Sequence, residues 1–379
     1  MKKIDPLLAL TTAALSLPVF AGNPPTEKEI SLRASSYKED DISKTSVLSG
    51  SPERYKIDKT HFRLLTPIGS NWSTEINTSQ EVMSGASPWG TFSGSDEQPS
   101  LIMSGATIKD KRTEVGVSIT NYQDNASYGV TLGTSREDDY KSRSIGLSAG
   151  WDLNNMSTLG IGFSFSDDDI EPTDAKKFGR IQQAKKQTRS FSVSWTQIIN
   201  TNSLLFSGLT YTNKEGFLSD PYKLRDTRPD KKSEWAASLK YRIFIDSKNA
   251  ALHLNYRLYN DGFGINSHTV NAEWHQNISL RWKISPRIRY YSQSQADFYV
   301  DADDFSLPKT VNQSSDHRLS GYGAITAGIQ ANYELSGWKI KVSFDRYISD
   351  NHYGHDSSRY SHPALLDFNL TSLGIEYKF

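Results

Sequence analysis

The chain has 379 residues, with 43 basic and 43 acidic side chains and therefore a formal net charge of zero at pH 7. It has no cysteine, which excludes disulfides, thiolate metal sites, iron–sulfur clusters and cysteine nucleophiles. The balanced charge argues against nucleic acid as a partner, because such binding depends on an excess of positive charge. The mean hydropathy of -0.57 is that of a soluble protein. A transmembrane β-barrel escapes this test, because its strands alternate lipid-facing and lumen-facing residues.

The first residues have the pattern of a secretory signal peptide. Met1 is followed by Lys2 and Lys3, residues 7–20 are largely apolar, and Ala21 ends a small-residue cleavage site. We therefore predict that residues 1–21 are removed and that residues 22–379 form a single exported domain. Export without a thiol suits a protein that is stabilised by closure of a sheet.

Alternation with a period of two residues runs through nearly all of the remaining chain. Apolar residues alternate with small or polar ones in residues 145–153, 159–166 and 325–335, for example. The pattern predicts an all-β, antiparallel up-and-down transmembrane barrel of about 16 strands. The predicted strands are 29–37, 54–66, 72–80, 111–122, 126–137, 140–153, 158–167, 186–199, 204–215, 233–245, 250–261, 267–278, 281–292, 321–335, 338–348 and 368–379.

The connections between these strands alternate in length. Every second one is short, whereas the other set includes the long segments 81–110, 168–185, 216–232, 293–320 and 349–367. Outer-membrane barrels have short periplasmic turns and longer outer loops. The alternation therefore predicts a Gram-negative outer-membrane protein with both termini in the periplasm, in contact with lipid and lipopolysaccharide.

Aromatic residues and the end of the chain support this topology. Four tryptophans fall beside the short turns, as expected for a girdle at the membrane interface, and Tyr55 and Trp235 are predicted near the opposite rim. The last strand ends at Phe379 and resembles the signal that the barrel assembly machinery of Gram-negative bacteria recognises. The four tryptophans are Trp72, Trp151, Trp282 and Trp338.

Several segments resemble a family of bacterial outer-membrane β-barrels of unknown function. They are 84–89 (SGASPW) and 104–112 (SGATIKDKR), together with 32–41 and 54–57. The resemblance implies an outer-membrane barrel and brings no catalytic residues. It also implies genes nearby for a small lipoprotein, a flavin-transferase-like protein and a thioredoxin-like protein. A periplasmic lipoprotein partner and a role in envelope redox or flavin-linked export follow from the resemblance alone.

The lumen face of the predicted barrel carries basic side chains on one wall. If Trp282 and Ile288 face lipid, the alternate residues of that strand face inward. The predicted pore-lining residues are Lys240, Arg242, Arg257, Arg281, Lys283, Arg287 and Arg289. Such a wall would favour anionic solutes. The alternative is that inward-facing acids neutralise these cations across the wall.

Segment 81–110 is the candidate constriction loop. Its turn-forming residues predict an ordered segment that either narrows the lumen or caps it without a ligand. The residues of interest are Ser84, Gly85, Ser87, Pro88 and Trp89. The serines do not form a Gly-x-Ser-x-Gly elbow, and no histidine–aspartate pair is placed beside them, so no catalytic residue is expected.

Two kinds of loop cluster could bind ions. Acids at 167–174 and 297–304 offer carboxylates for Ca²⁺, but without EF-hand spacing, and solvated loops are the alternative. The last outer loop offers imidazole and carboxylate ligands for Zn²⁺ or Cu²⁺, although their spacing is irregular: His352, His355, Asp356 and His362. No metal or cofactor is therefore assigned.

These observations predict a porin-like channel for small polar or anionic solutes, without enzymatic activity. A non-conducting barrel that serves as a scaffold or export partner for an envelope redox or flavin-linked system is the alternative.

Overall fold

A computed structural model describes residues 24–94, 98–105, 108–356 and 358–379 of the chain. The predicted signal peptide, residues 1–21, lies outside the described residues. Helical segments in this part of the chain are a single turn long, such as α1 (Ala175–Phe178), and none has the length and apolar character needed to cross a membrane.

The described residues form 21 strands. In chain order they are β1 (Glu29–Glu39), β2 (Val47–Ser49), β3 (Lys56–Ile68), β4 (Trp72–Gly85), β5 (Pro88–Ser93), β6 (Pro99–Met103), β7 (Ile108–Gln123), β8 (Ala126–Arg136), β9 (Tyr140–Asn154), β10 (Ser157–Ile170), β11 (Ala184–Asn200), β12 (Ser203–Gly216), β13 (Asp226–Thr227), β14 (Lys231–Ile245), β15 (Ala250–Asp261), β16 (Asn266–Asn277), β17 (Trp282–Gln293), β18 (Gln313–Ser314), β19 (Tyr322–Leu335), β20 (Trp338–Asp350) and β21 (Phe368–Lys378).

Sixteen of these strands close into one antiparallel barrel, which confirms the predicted fold class. The five shorter strands β2, β5, β6, β13 and β18 lie outside the barrel wall. Each barrel strand pairs with its neighbours in sequence among the barrel strands. The ring closes where β1 pairs with β21, from Glu29 opposite Lys378 to Glu39 opposite Phe368. Closure leaves no unpaired sheet edge, which is the condition for a sheet to cross a bilayer.

The alternation of side chains determines which face of each strand is apolar. Leu132, Ile288 and Ile329 remain 58%, 57% and 51% exposed because they lie on the outside of the barrel. Their chain neighbours face the lumen and are small, polar or charged. The barrel therefore has an apolar outer surface and a polar interior, the reverse of a soluble protein.

The two ends of the barrel differ in their connections. At one end, which we call the turn end, all seven connections have two to four residues, as predicted. At the other end, the long-loop end, six connections are long: residues 40–55, 86–107, 171–183, 217–230, 294–321 and 351–367. Only 137–139 and 262–265 are short there.

An aromatic belt surrounds the turn end. Trp72, Trp282 and Trp338 begin β4, β17 and β20 directly after short turns and are about half exposed on the outer surface. Trp338 stacks on Tyr377 with ring centroids 4.4 Å apart. These positions agree with the predicted girdle. Tyr55 differs from the prediction, because it is buried beside Ile57 rather than exposed at the opposite rim.

The long loops contact one another across the long-loop end. Strands β2, β5 and β6 form a small sheet, and β13 pairs with β18 to join loop 217–230 to loop 294–321. A buried apolar cluster joins three of the loops through Ile42, Ala86, Leu101, Met103 and Ala364. We call the contacting loops 40–55, 86–107, 171–183, 217–230, 294–321 and 351–367 the lid.

Candidate functional site

The two halves of the lumen wall differ in chemistry. The inward positions of β7 to β12 are mostly glycine, serine and threonine, because every second residue of these strands is small. They include Gly116, Ser118, Thr131, Gly133, Ser144, Gly146, Gly162, Ser164, Ser192 and Ser194. The opposite half carries long basic side chains. A lumen of this kind sets up a transverse electric field.

The basic side chains lie in rows across β14 to β17, which we call the basic wall. One row follows the pairing of Arg242 with His253, of His253 with Glu273 and of Glu273 with Arg287. The next row, one pleat closer to the long loops, begins at Lys240 and ends at Arg289. Paired residues of antiparallel strands share a face, so both rows face the lumen.

Arg287 is neutralised by an ion pair that spans three strands. Its Nε donates to Asp345 Oδ1 over 2.6 Å, and its Nη2 donates to the other carboxylate oxygen. Gly328 lies between the two in the register, and a Cβ there would come within 2.0 Å of Asp345 Oδ1. Glycine is therefore required at 328 for the guanidinium and the carboxylate to meet.

The other inward cations of the basic wall lack an acidic partner. Within the described part of the chain none of them forms an ion pair. Lys240 instead lies 4.8 Å from the ring of Phe206, and Arg257 lies 5.5 Å from the ring of Tyr259. The five unneutralised side chains are Lys240, Arg242, Arg257, Lys283 and Arg289. Neutralisation across the wall, the alternative left open by the sequence, therefore holds for Arg287 but not for these five.

Arg281 is placed differently from the expectation. Strand β17 begins at Trp282, so Arg281 lies in the preceding turn and is exposed. Its carbonyl accepts a hydrogen bond from the amide of Glu334 over 2.9 Å. The turn takes Arg281 out of the rows of the basic wall, because the chain must reverse between β16 and β17.

Removal of the carboxylate that neutralises Arg287 tests the charge of this wall. We expect Asp345→Asn to raise the anion-to-cation permeability ratio about fivefold. One unit charge about 8 Å away in water favours an anion by about 0.5 kcal/mol and disfavours a cation by the same amount. The measurement is the reversal potential in a KCl gradient. Asp40→Asn is the matched control, because it removes the same charge from an ion pair with Arg346 that lies away from the basic wall. A ratio that falls in Asp345→Asn would contradict the assignment.

The segment predicted as a constriction loop begins inside the barrel wall. Ser84 and Gly85 are the last residues of β4 and pair with Lys109 and Ile108 of β7. Gly85 has φ of +133°, and a Cβ there would lie 2.5 Å from the carbonyl oxygen of Arg54. Glycine is therefore needed where the chain leaves the wall and passes close to another backbone segment.

The rest of this segment reaches loops on the far side of the barrel. Ser87 is fully buried, and its amide donates to Ser104 Oγ over 2.9 Å. Pro88 and Trp89 begin β5, and the carbonyl of Trp89 accepts from the amide of Leu224 in loop 217–230 over 2.7 Å. The segment is thus a part of the lid.

A buried ion network joins loop 217–230 to loop 294–321 of the lid. Arg228 donates to Asp226 over 2.9 Å and to Asp316 over 2.8 Å. Arg318 also pairs with Asp316 and lies 3.3 Å from Asp220. The side chain of Asp316 is fully buried. Burial alone raises the pKa of this carboxyl, but Arg318, Lys223 and Arg228 together hold it well below its ordinary value.

His362, in loop 351–367, connects two further loops to this network. Its Nε2 lies 2.9 Å from the carbonyl oxygen of Ser315 and 3.3 Å from Thr91 Oγ1, and its Nδ1 accepts from the amide of Ala364 over 3.0 Å. This arrangement suits the neutral imidazole with its proton on Nε2. Burial, with a contribution from Lys223, lowers the pKa of His362 to about 3.

The loop clusters that the sequence offered as ion sites are not brought together. His352 pairs with Asp350 on the surface, whereas His362 is buried in the lid. Asp168 points inward to Lys186 and Ser142, while its neighbours alternate in direction along β10. Among the described residues, a convergent group that the sequence analysis missed is His253, Glu273 and His275. The sequence could have revealed this group, because the alternation of the two adjacent strands places all three residues on the inward face.

Solved structures of other proteins are similar to this fold. CdiB from Acinetobacter baumannii superimposes with a TM-score of 0.54 at 9% identity, covering 94% of this chain and 60% of CdiB. A bacterial polysaccharide outer membrane secretin gives 0.51 at 9% identity, covering 92% of this chain and 98% of that one. At this identity the likeness shows the fold alone, and the chain spans about 60% of the length of CdiB. No curated protein matches the chain in sequence.

A family model described as protein of unknown function (DUF3570) matches residues 7–360. The match confirms the resemblance that segments 84–89 and 104–112 suggested. With its closed barrel of 16 strands, the chain belongs to the DUF3570 family and has the fold of outer-membrane β-barrels.

Proposed function

We propose that the protein is a gated outer-membrane channel that favours small anionic solutes. It resides in the outer membrane with the turn end in the periplasm, since the apolar outer surface and the aromatic belt suit a bilayer. The observation that carries the proposal is the basic wall with its five unneutralised cations, facing a half-lumen of glycine, serine and threonine. The proposal assigns the barrel no catalytic step.

The charge pattern explains why an anion would be drawn into this lumen. Cations that are not paired with carboxylates keep their field, and a charged lumen raises the local concentration of counter-ions. The small side chains opposite leave space and offer hydroxyl groups that can hydrogen-bond a polar solute. Arg287 contributes little to this field because Asp345 neutralises it.

The test is the reversal potential of the refolded protein in planar bilayers under a KCl gradient. We expect wild type to favour chloride and the double variant Arg242→Glu, Arg289→Glu to favour potassium. The four-unit charge change amounts to about 2 kcal/mol for the anion and the opposite for the cation, or a change of more than tenfold in the permeability ratio, at about 0.5 kcal/mol per charge. Arg346→Glu is the control, because Arg346 pairs with Asp40 and Asp367 away from the basic wall. Unchanged ion selectivity in the double variant would contradict the proposal.

The lid favours a second candidate function. Its buried contacts join loops from opposite sides of the barrel, as expected for a barrel that does not conduct by default. Such a barrel would act as a scaffold or export partner for an envelope redox or flavin-linked system, with a periplasmic lipoprotein as its partner. Conductance distinguishes the two: a folded, heat-modifiable barrel that never conducts, even when the lid is opened by mutation, would favour the scaffold.

A further inference from the structure

We propose that His253, Glu273 and His275 form a binding site for a divalent transition-metal ion on the lumen wall. The three side chains come from two adjacent strands, β15 and β16. His253 lies directly opposite Glu273 in the register, and His275 is two residues further along the same face. The period of the strand thus directs all three side chains into the lumen.

The donor atoms already converge. One nitrogen of each imidazole and one carboxylate oxygen lie within 4.8 Å of one another. His275 Nε2 lies 2.9 Å from His253 Nδ1 and 3.3 Å from Glu273 Oε2. Ligands at about 2.0–2.1 Å from a tetrahedral zinc ion are separated by roughly 3.3 Å. Only small side-chain rotations therefore separate this arrangement from a metal-bound one.

Neighbouring polar groups orient two of the three ligands. Ser285 Oγ lies 2.8 Å from His275 Nδ1, which leaves Nε2 directed at the other donors. Asn271 Nδ2 donates to Glu273 Oε1 over 3.2 Å, which leaves Oε2 for the site. Such outer partners are typical of metal sites, because they set the tautomer and the direction of the ligands.

Among the described residues, no Lys or Arg forms an ion pair with the carboxylate of Glu273. Arg287 lies opposite Glu273 in the register, but its guanidinium pairs with Asp345 instead. Two imidazoles and one carboxylate suit Zn²⁺, Fe²⁺, Mn²⁺ or Cu²⁺ rather than Ca²⁺ or Mg²⁺, which prefer oxygen ligands alone. The three ligands are half-buried, so further coordination positions would face the lumen.

The experiment measures metal binding to the full-length mature barrel in detergent, so it does not depend on conductance. Zn²⁺ is titrated by calorimetry, and Co²⁺ is used as a spectroscopic probe of nitrogen and oxygen ligands. We expect wild type to bind one equivalent with micromolar or tighter affinity. We expect His253→Ala and His275→Ala each to weaken binding by at least about tenfold, and Ser285→Ala to weaken it less.

His268→Ala is the matched control. His268 lies on the same strand β16 but on the outer face, where its Nδ1 bonds Tyr256 Oη over 2.7 Å. Binding should be unchanged in this variant. Glu273→Gln keeps the size of the side chain and removes its charge, so it should weaken Zn²⁺ binding in a barrel that remains heat-modifiable. Absence of binding to wild type, or full binding to His253→Ala and His275→Ala, would overturn the proposal.

Discussion

Replacement of Asp316 by asparagine is expected to open the lid. Asp316 is the shared partner of Arg228 and Arg318, and its side chain is fully buried. Removing one partner of a buried ion pair costs about 3–5 kcal/mol, because the remaining charge stays buried without compensation. The loss falls on the contact between loops 217–230 and 294–321 and leaves the barrel strands intact.

The result should be visible in two measurements. Steady conductance in planar bilayers should rise well above that of wild type. Trypsin should cleave loop 217–230 at Arg225, which is buried in the closed lid against the carbonyl oxygen of Pro308. Asp304→Asn is the control, because Asp304 lies in the same loop as Asp316 but is exposed and bonds only nearby residues of that loop. A folded Asp316→Asn barrel with wild-type conductance and protection would show that this network does not hold the lid closed.

Acidification is expected to open the wild-type lid between pH 6.5 and pH 3. Burial lowers the pKa of His362 to about 3, whereas an exposed histidine titrates near 6.5. In an open lid His362 is exposed and takes up a proton below pH 6.5, which the closed lid does not. The closed lid is therefore fully stable above pH 6.5 and loses about 3 kcal/mol from this residue by pH 4.

The groups around His362 act together in this range. Burial also lowers the pKa of His317 well below its usual value, so it adds to the loss. Lys223 and Arg54 oppose protonation of His362, and Asp316 favours it. Asp316 has a lowered pKa and stays charged in the closed lid until the pH falls below its ordinary value. The histidines therefore respond first as the pH falls.

Conductance measured from pH 7.5 to pH 4 checks this prediction. His362→Gln should flatten the response, because glutamine offers a donor and an acceptor but does not titrate. His352→Gln is the control, since His352 is exposed and 84% of its side-chain surface is accessible. An equally steep pH response in His362→Gln would assign the sensitivity to other groups.

The two candidate functions differ in what the lid does at rest. A channel needs a lid that opens in response to a ligand, a voltage or a pH change, while a scaffold needs only a stable outer surface. The Asp316 variant separates them, because it removes the lid contacts without touching the basic wall. Selectivity measured in the opened barrel then reports on the wall itself.

The approximate number of strands and the order of the strands could be derived from the sequence, because side-chain alternation is a local property. Lipid outside and polar lumen inside force the same two-residue period on every strand, so residues 145–153 or 325–335 reveal their strands without reference to any other part of the chain. Short turns join antiparallel strands that are neighbours in the sheet, so the positions of these turns in the sequence predicted the order of the strands in the barrel. These constraints act on nearest neighbours in sequence.

The lid and the neutralisation of charges depended on contacts that the sequence does not specify. Trp89 meets Leu224 only because the ring brings the two loops to the same end of the barrel. Arg287 and Asp345 are 58 residues apart in sequence, and they pair across Gly328 of the intervening strand. The position of Arg281 depended on where a turn ends, which alternation does not define.

The sequence alone thus determined that this protein is a barrel of about 16 strands with a basic inner wall. The two-residue alternation, the lengths of the turns and the charges are all local features that can be read directly from the residues. Only the tertiary structure decided which cations of that wall remain unneutralised, that the long loops meet as a lid, and that His253 and His275 converge on Glu273. Those features arise from register and closure, which place residues distant in sequence within a few ångströms of each other.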